Sequence, residues 1–313
     1  MLSVLLLAAI VVGCTAPAAT DPYVLTSNSL DAGWHRVQLE LSLRADVEDR
    51  TVAIERGDIR LAFDAEAGTG SFSLSVAPAA LGLGPDEVVS LGLPGDRLEL
   101  DVLFDGEAVF ARSPLAAHFL PMLLAQFGDV PAEDYSGWLR LGTKQEFEVL
   151  AALASMGSPQ PDFVTPELEE LAALGPAELQ QLLADYGVAL SFVGVEHREG
   201  VEASHLRFLF DTASVAQNQF LPGLDPRQLG EMAAAEVRLT TDAWLHPTTN
   251  RPVELSFEMT SSDPALPELS LSLYVGEPDA SVTFAAPDSY VDVPVLTIIQ
   301  QFMGSFVSGD FGP

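Results

Sequence analysis

The sequence predicts an α+β fold in which a mostly antiparallel sheet carries its helices on one face. Three observations predict this class. Apolar and polar residues alternate through the first strand-rich stretch, the apolar spacing becomes helical between residues 114 and 186, and alternation returns from residue 188. Strands on both sides of a helical block are typical of α+β domains. Roughly ten strands in one open sheet must curl, and a curled sheet under helices leaves an apolar hollow that is filled by side chains or by a ligand.

The first strands follow from two-residue periodicity. In the stretch from Trp34 to Arg44, Val37, Leu39 and Leu41 alternate with polar residues, which predicts a strand with one buried face. The sequence Asp105-Gly106 suits a type I′ turn, and this turn would set Val102 opposite Val109. The predicted strands of this stretch cover residues 34–44, 50–63, 70–77, 98–104 and 107–112.

The middle of the chain carries helix signals. Ser113-Pro114 combines an N-cap with proline in the first turn, and Thr143 with Glu146 forms a capping box. Two further helices are predicted to begin at Thr165-Pro166 and Gly175-Pro176, and one short strand is expected near residues 138–141. Residues 82–95, which are rich in glycine, are predicted to form a loop.

Strands return after the helical block. Asp225-Pro226 predicts a short helix that reaches about Ala235. An amphipathic helix is expected over residues 295–307, with its apolar side on the sheet. The predicted strands cover residues 188–196, 203–211, 236–245, 252–260, 266–275 and 280–284.

The amino terminus resembles a lipoprotein leader. An apolar run from Leu2 to Val12 ends in Gly13-Cys14, and Cys14 is the only cysteine of the chain. Small residues before a cysteine at the end of an apolar core resemble the lipobox of bacterial lipoproteins, in which the cysteine is cleaved free and acylated. The alternative is a non-cleaved anchor helix with an incidental cysteine, but these eleven mostly apolar residues are short for a membrane span, which needs about 20. We therefore expect residues 1–13 to be a signal peptide, residues 14–24 a lipidated tether, and residues 25–313 a single domain with the helical block at 114–186.

The charge of the chain restricts its partners. There are 14 basic and 45 acidic residues among 313, for a net charge of −31, and Lys144 is the only lysine. Such a surface repels phosphate, so nucleic-acid binding is not expected. It offers no basic patch to anionic lipid head groups. Attachment to a membrane is therefore expected to come from lipid chains on Cys14, and a monomer is expected.

No arrangement of residues indicates catalysis. There is no G-x-S-x-G elbow, and the five histidines show no metal-ligand spacing. His197 and His205 flank one predicted hairpin and could approach each other, but the simpler interpretation is that both are exposed. We therefore expect no enzymatic activity, no metal and no cofactor.

Large apolar residues on the predicted strands and helices are candidates to line a lipid cavity. The alternative is that they form an ordinary core. The candidate lining residues are Leu39, Leu41, Phe63, Phe72, Phe119, Phe208, Phe210, Leu255 and Phe257.

Together, these features resemble the LppX/LprAFG lipoproteins, which are related in fold to the LolA and LolB carriers. The most specific stretch runs from Val237 to Leu255, where a strand with Asp242-Ala243-Trp244-Leu245 is followed by a turn at Pro247-Thr248-Thr249 and a new strand at Pro252-Val253. The resemblance implies a strongly curved, unclosed antiparallel sheet, a half-barrel, with helices covering the concave face. It implies no catalytic residues, and a hollow that accommodates acyl chains of lipids or glycolipids.

The sequence thus favours a lipid-anchored protein on the extracytoplasmic face of the cell membrane. Its expected ligand is a lipid or glycolipid, and a role as a lipid carrier of the envelope is one form of this function. The alternative is a non-catalytic scaffold or interaction lipoprotein whose core is filled by its own side chains.

Overall fold

The structure of the chain is a computed structural model. It describes residues 21–30, 36–47, 50–93, 96–124, 134–147, 149, 173–212, 226–263, 266–278, 282 and 284–293. The strands are β1 (Arg36–Val47), β2 (Arg50–Asp64), β3 (Thr69–Val76), β4 (Leu98–Phe104), β5 (Ala108–Arg112), β6 (Leu139–Thr143), β7 (Val188–Arg198), β8 (Val201–Asp211), β9 (Arg238–Leu245), β10 (Pro252–Thr260), β11 (Glu268–Gly276) and β12 (Val291–Asp292). The helices are α1 (Pro22–Leu30), α2 (Pro85–Ser90), α3 (Pro114–Leu124), α4 (Pro176–Asp185) and α5 (Pro226–Ala234), with a 3₁₀ helix at Pro78–Leu81.

The strands form one 12-stranded sheet in the order β12-β6-β5-β4-β3-β2-β1-β11-β10-β9-β8-β7. Neighbouring strands whose register is defined are antiparallel, except that β12 runs parallel to β6. The order has two ends, so the sheet is open. The predicted α+β class with an open, mostly antiparallel sheet is confirmed.

The chain divides into two compact units. The first unit comprises Met1–Trp34, Leu39–Gly57 and Pro161–Gly276, and so contains β7 to β11, most of β1, the beginning of β2, and helices α1, α4 and α5. The second comprises His35–Gln38, Asp58–Gln160 and Glu277–Pro313, and contains the rest of β2, β3 to β6, β12, α2 and α3.

Helix starts agree with the predicted signals. The backbone N–H of Leu115 donates to the hydroxyl of Ser113, 3.2 Å away, at the start of α3. The Thr143 capping box is present, because the N–H of Thr143 donates to Oε2 of Glu146 at 2.6 Å and the N–H of Glu146 donates to Oγ1 of Thr143 at 3.3 Å. Helix α4 begins at Pro176, as predicted.

The hairpin between β4 and β5 differs from its prediction. Phe104 pairs with Val109, and Val102 pairs with Ala111 instead of Val109. The reason is the side chain of Asp105, whose Oδ1 accepts hydrogen bonds from the N–H groups of Glu107 and Ala108 at 2.9 and 2.8 Å. This side-chain turn extends the connection beyond two residues. The register shifts by two, so each side chain keeps its predicted face.

Other boundaries also differ from the predictions. The loop predicted over residues 82–95 contains helix α2, whose first turn is capped because the N–H of Gly84 donates to Oε2 of Glu87 at 2.7 Å. Helix α1 includes residues 22–24, which were predicted as tether. Within the predicted strand 280–284, the described residues 282 and 284 are not in a strand, and the short β12 was not predicted. Cys14, the helix start at Thr165-Pro166 and the helix over 295–307 lie outside the described residues.

Candidate functional site

Strands β7 to β11 of the first unit turn their apolar side chains to one face of the sheet. Cross-strand partners share a face, and Leu190, Phe208, Thr241, Phe257 and Leu271 stand side by side in one row across these five strands. A neighbouring row holds Phe192, Leu206, Ala243, Leu255 and Leu273. This apolar face of the first unit is where we place the candidate site.

Helices cover the part of this apolar face that is formed by β7, β8, β9 and Leu255 of β10, which is here named the packed end. Helix α1 packs against it through Leu25, helix α4 through Leu183, and helix α5 through Met232. The side chains beneath them are buried in contact with one another, which is the packing expected of a filled core. Three of the nine predicted lining residues lie in this packed end: Phe208, Phe210 and Leu255, which are 5%, 8% and 4% exposed.

The β10–β11 end of the face is less covered. Phe257, Leu271 and Leu273 are only half-buried, although they are direct neighbours of the packed rows. The face therefore changes, within two strands, from a packed interior to an apolar surface that retains contact with solvent.

Strand β1, the next strand in the sheet, extends this half-buried surface. On the opposite face, Glu40 accepts a hydrogen bond from Arg56 at 2.8 Å, and the Arg56 guanidinium lies 4.0 Å from the ring centre of Tyr274. Since successive side chains of a strand alternate between faces, Leu39 and Leu41 project to the apolar side. Both are half-buried.

One polar side chain interrupts the apolar face. Thr241 is 2% exposed and stands between Phe208 and Phe257, and its hydroxyl has no hydrogen-bond partner in the part of the chain that the structure describes. The same holds for the hydroxyl of Thr26 in α1. Buried hydroxyl groups are nearly always hydrogen-bonded in proteins, so an unpartnered one is a feature that requires an explanation.

The second unit has a half-buried apolar surface of its own. Leu61, Phe72 and Val102 form a cross-strand row on β2, β3 and β4, and all three are half-buried. Phe63, two residues along β2, lies on the same face and is also half-buried. Phe119 lies on helix α3 and is 37% exposed.

The opposite face of the first unit carries a buried polar cluster centred on His205, which is 3% exposed. Nδ1 of His205 lies 2.9 Å from Oε1 of Glu196, and Nε2 lies 2.7 Å from Oδ1 of Asp242. Arg207 donates two hydrogen bonds to the same Asp242 carboxylate, at 2.8 and 3.1 Å. Both ring nitrogens can donate at once when the imidazole carries two protons, and the cluster then ties β7, β8 and β9 together.

Trp244 completes the cluster. Its indole stacks on His205 with ring centres 4.6 Å apart, and its Nε1–H donates to Oε2 of Glu196 at 3.0 Å. The guanidinium of Arg198 also lies over the indole, 4.3 Å from the ring centre, and it is 3.7 Å from the carboxylate of Glu254.

The pKa values of two carboxylates of the cluster are shifted in opposite directions. The hydrogen bonds from Trp244 and His205 lower the pKa of Glu196. Burial raises the pKa of Glu254, and the nearby Arg198 only partly opposes it. The pKa values differ because both carboxylate oxygens of Glu196 accept hydrogen bonds, from His205 and Trp244. Glu254 is 7% exposed, and the nearest guanidinium nitrogen of Arg198 is 3.7 Å away.

One of the two histidines predicted to be exposed is buried in the structure. His205 is buried, so the expectation that it is exposed was wrong, whereas His197 is 68% exposed. The two do not approach each other, because a bulge between Phe192 and Gly194 places Glu196 and His205 on one face of the hairpin and His197 on the other. His246 caps its own turn, where its Nδ1 accepts from the N–H of Thr248 at 3.3 Å.

Among the described residues, no group of three histidine, cysteine, aspartate or glutamate side chains is arranged to hold a metal ion. None of the described helices is long and apolar enough to cross a membrane.

The nine predicted lining residues are thus distributed over three environments. The packed end of the first unit holds three of them, its half-buried end holds Leu39, Leu41 and Phe257, and the second unit holds Phe63, Phe72 and Phe119. Their role in lining a cavity remains a prediction. Sequence reasoning missed Thr241, although the alternation of Leu239, Thr241 and Ala243 along β9 places a hydroxyl on the apolar face.

Comparisons with known proteins give similarity at the level of solved structures alone. No protein-family model matches the chain, and no curated protein matches it. The chain is similar to LprF from Mycobacterium bovis (12% identity, TM-score 0.40, covering 88% of this chain and 100% of that one) and to the lipoprotein LppX from Mycobacterium tuberculosis (13%, 0.36, 85% and 100%). It is also similar to an outer-membrane lipoprotein-sorting domain from Vibrio parahaemolyticus (9%, 0.22, 81% and 89%). These values are too low to transfer a function, so the function proposed for this chain rests on its own residues.

Proposed function

We propose that this chain is a lipid-binding lipoprotein, held by an acylated Cys14 on the extracytoplasmic face of the cell membrane, and that it receives acyl chains of a lipid or glycolipid on its apolar sheet face. The observation that carries the proposal is the half-buried end of that face, where Phe257, Leu271, Leu39 and Leu41 lie beside a packed core yet keep contact with solvent. Release of the bound lipid to another membrane component would make the protein an envelope lipid carrier.

Energetics supports an apolar surface of this kind as a lipid site. Burial of an acyl chain yields about 0.8 kcal/mol per CH₂ group, so a 16-carbon chain supplies on the order of 10 kcal/mol before the costs of binding. Such a contact needs no charged partner. This agrees with a chain that carries 45 acidic residues and a single lysine.

The buried histidine does not favour an enzyme. Each nitrogen of the His205 ring faces a carboxylate, Glu196 on one side and Asp242 on the other, at hydrogen-bond distance. The ring therefore has no free nitrogen with which to accept or donate a substrate proton. The cluster is better explained as a cross-strand connection within the sheet.

A second candidate is a scaffold or interaction lipoprotein with a filled core. The packed end of the face favours it, because Phe208, Phe210 and Leu255 are already buried by the helices above them. The two candidates differ in what they require of the half-buried end. A lipid-binding protein uses this end as its binding surface, and a scaffold leaves it without a ligand.

The experiment that separates them places a charge on either face of the same strand. Leu271→Asp puts a carboxylate on the half-buried apolar surface of β11, and Ser272→Asp puts one on the opposite face, one residue away. We expect the Leu271 variant to reduce the binding of a fluorescent acyl-chain probe at least tenfold, because the carboxylate must be desolvated under the probe. The Ser272 variant should bind as the parent does.

Both variants are compared in the full chain with Cys14→Ala, so that an attached acyl group does not compete with the probe. Circular dichroism establishes that both remain folded. Equal binding by both variants, or the absence of binding by the parent, would contradict the lipid-binding proposal and favour the scaffold.

A further inference from the structure

The buried hydroxyl of Thr241 has no structural explanation within the fold that surrounds it. Its neighbours across the strands are Phe208 and Phe257, and its neighbours along the same face of β9 are Leu239 and Ala243. No described residue hydrogen-bonds its Oγ1. A valine would have the same shape without the unpaired hydroxyl, so packing alone does not account for threonine here.

Thr241 stands at the boundary between the packed end and the half-buried end. On its β8 side, Phe208 is 5% exposed and lies under the helices. On its β10 side, Phe257 is half-buried, and Leu271 follows on β11. The buried hydroxyl therefore lies one strand in from the half-buried Phe257, at the edge of the half-buried surface.

We propose that Thr241 is a specificity-determining residue of the lipid site, whose hydroxyl donates a hydrogen bond to the carbonyl oxygen of an acyl ester bound on this face. The inference rests on the proposed lipid-binding function and adds to it the chemical class of the ligand. No residue in the described part of the chain pairs with the hydroxyl, and the ester supplies its partner.

The surroundings of Thr241 select an uncharged partner. The other members of its row are leucine and phenylalanine, and the charged residues of β8 to β10 that take part in the His205 cluster project from the opposite face. A carboxylate or phosphate placed here would lose its hydration and gain only one hydroxyl, which is unfavourable. An ester carbonyl loses much less on burial and accepts one hydrogen bond well.

Binding of three probes that share a 16-carbon chain tests the inference: methyl palmitate, palmitate and hexadecane. We expect the parent chain with Cys14→Ala to bind methyl palmitate more tightly than either of the others. Thr241→Val should weaken methyl palmitate binding about tenfold, or about 1.4 kcal/mol, and leave hexadecane binding unchanged. Thr241→Ser keeps the hydroxyl and should retain the preference for the ester.

Thr240→Val is the matched control, because it makes the same change one residue away on the opposite face of β9. It should leave the affinity for all three probes unchanged. In the absence of ligand, Thr241→Val should also raise the melting temperature by about 2–4 °C, since it removes an unpaired buried hydroxyl. If this variant does not fold, Thr241→Ala serves for the same comparison of the three probes.

The outcomes separate this inference from the proposed function. Equal affinity of the parent and Thr241→Val for methyl palmitate, or tighter binding of palmitate than of its ester, would overturn the role of Thr241 while lipid binding stands. Failure of the parent to bind any of the three probes would overturn the lipid-binding function itself, and the inference with it.

Discussion

Two leucines on the same face of the sheet should differ sharply in what they contribute to stability. Leu206 on β8 is 1% exposed in the packed end, and Leu271 on β11, three strands away in the sheet, is half-buried. Removal of three carbons from Leu206 by substitution with alanine costs about 2.4 kcal/mol, from about 0.8 kcal/mol for each buried CH₂. The cavity that remains raises the total to about 3–4 kcal/mol. Leu271→Ala removes the same atoms from a partly solvated site and leaves no closed cavity, so about 1 kcal/mol is expected.

Urea unfolding followed by circular dichroism measures the loss of free energy of unfolding in each variant, and thermal unfolding gives the melting temperatures. The ligand-free protein is used for both measurements. The melting temperature should fall by about 6–16 °C for Leu206→Ala and by about 2–4 °C for Leu271→Ala. Binding of an acyl-chain probe should show the reverse order, with the larger loss for Leu271→Ala. Equal losses of stability would refute the distinction between a packed end and a half-buried end.

Three further predictions concern single side chains. Burial raises the pKa of Glu254 above the ordinary value of 4.5. Ionisation of Glu254 therefore destabilises the fold as pH rises through that raised pKa. In thermal unfolding, Glu254→Gln should stabilise the protein at pH 7 and lose this advantage below pH 4.5. Glu196 has the opposite sign, since donors from Trp244 and His205 lower its pKa. The stabilisation that ionised Glu196 provides is present above pH 4.5 and is lost as pH falls through the lowered pKa. Glu196→Gln should therefore destabilise the protein at pH 7 and much less at acidic pH. The same pH dependence for the Glu254 and Glu196 variants would contradict these two pKa shifts. Finally, Cys14→Ala should abolish incorporation of a fatty-acid label in cells while Thr15→Ala keeps it, and label that persists in the Cys14 variant would exclude the lipobox.

Much of the fold follows from periodicity that the sequence displays directly. Val253, Leu255 and Phe257 alternate along β10, and the predicted strand has the observed boundaries. Local signals with a defined partner also succeeded, as with Thr143 and Glu146, because a capping box joins residues only three positions apart.

The failures have local physical causes. The β4–β5 turn was lengthened by the carboxylate of Asp105, which competes with the backbone for the N–H groups of Glu107 and Ala108. Helix α1 has almost no amphipathic pattern in its sequence, and it is held by contacts with distant residues, such as the hydrogen bond from Ser27 to the carbonyl of Leu174 at 3.0 Å. A contact across 147 positions leaves no signal in a short window.

The site was only partly predictable for the same reason. Alternation identified Phe208 and Phe257 as residues of one apolar face, but only the packing of helices decides that the first is 5% exposed and the second half-buried. Similarly, Glu196, His205 and Asp242 come from three strands, and their cluster appears only when the register of β7 to β9 is known.

The most direct test of lipid binding is native mass spectrometry of the full chain with Cys14→Ala, purified without detergent from cells. The protein should show a mass above that of the polypeptide by the mass of a lipid with esterified acyl chains. The added mass should disappear on organic extraction, and it should be reduced in Leu271→Asp but not in Ser272→Asp. A parent protein that is consistently free of lipid, with both variants identical to it, would show that the apolar face does not bind lipid.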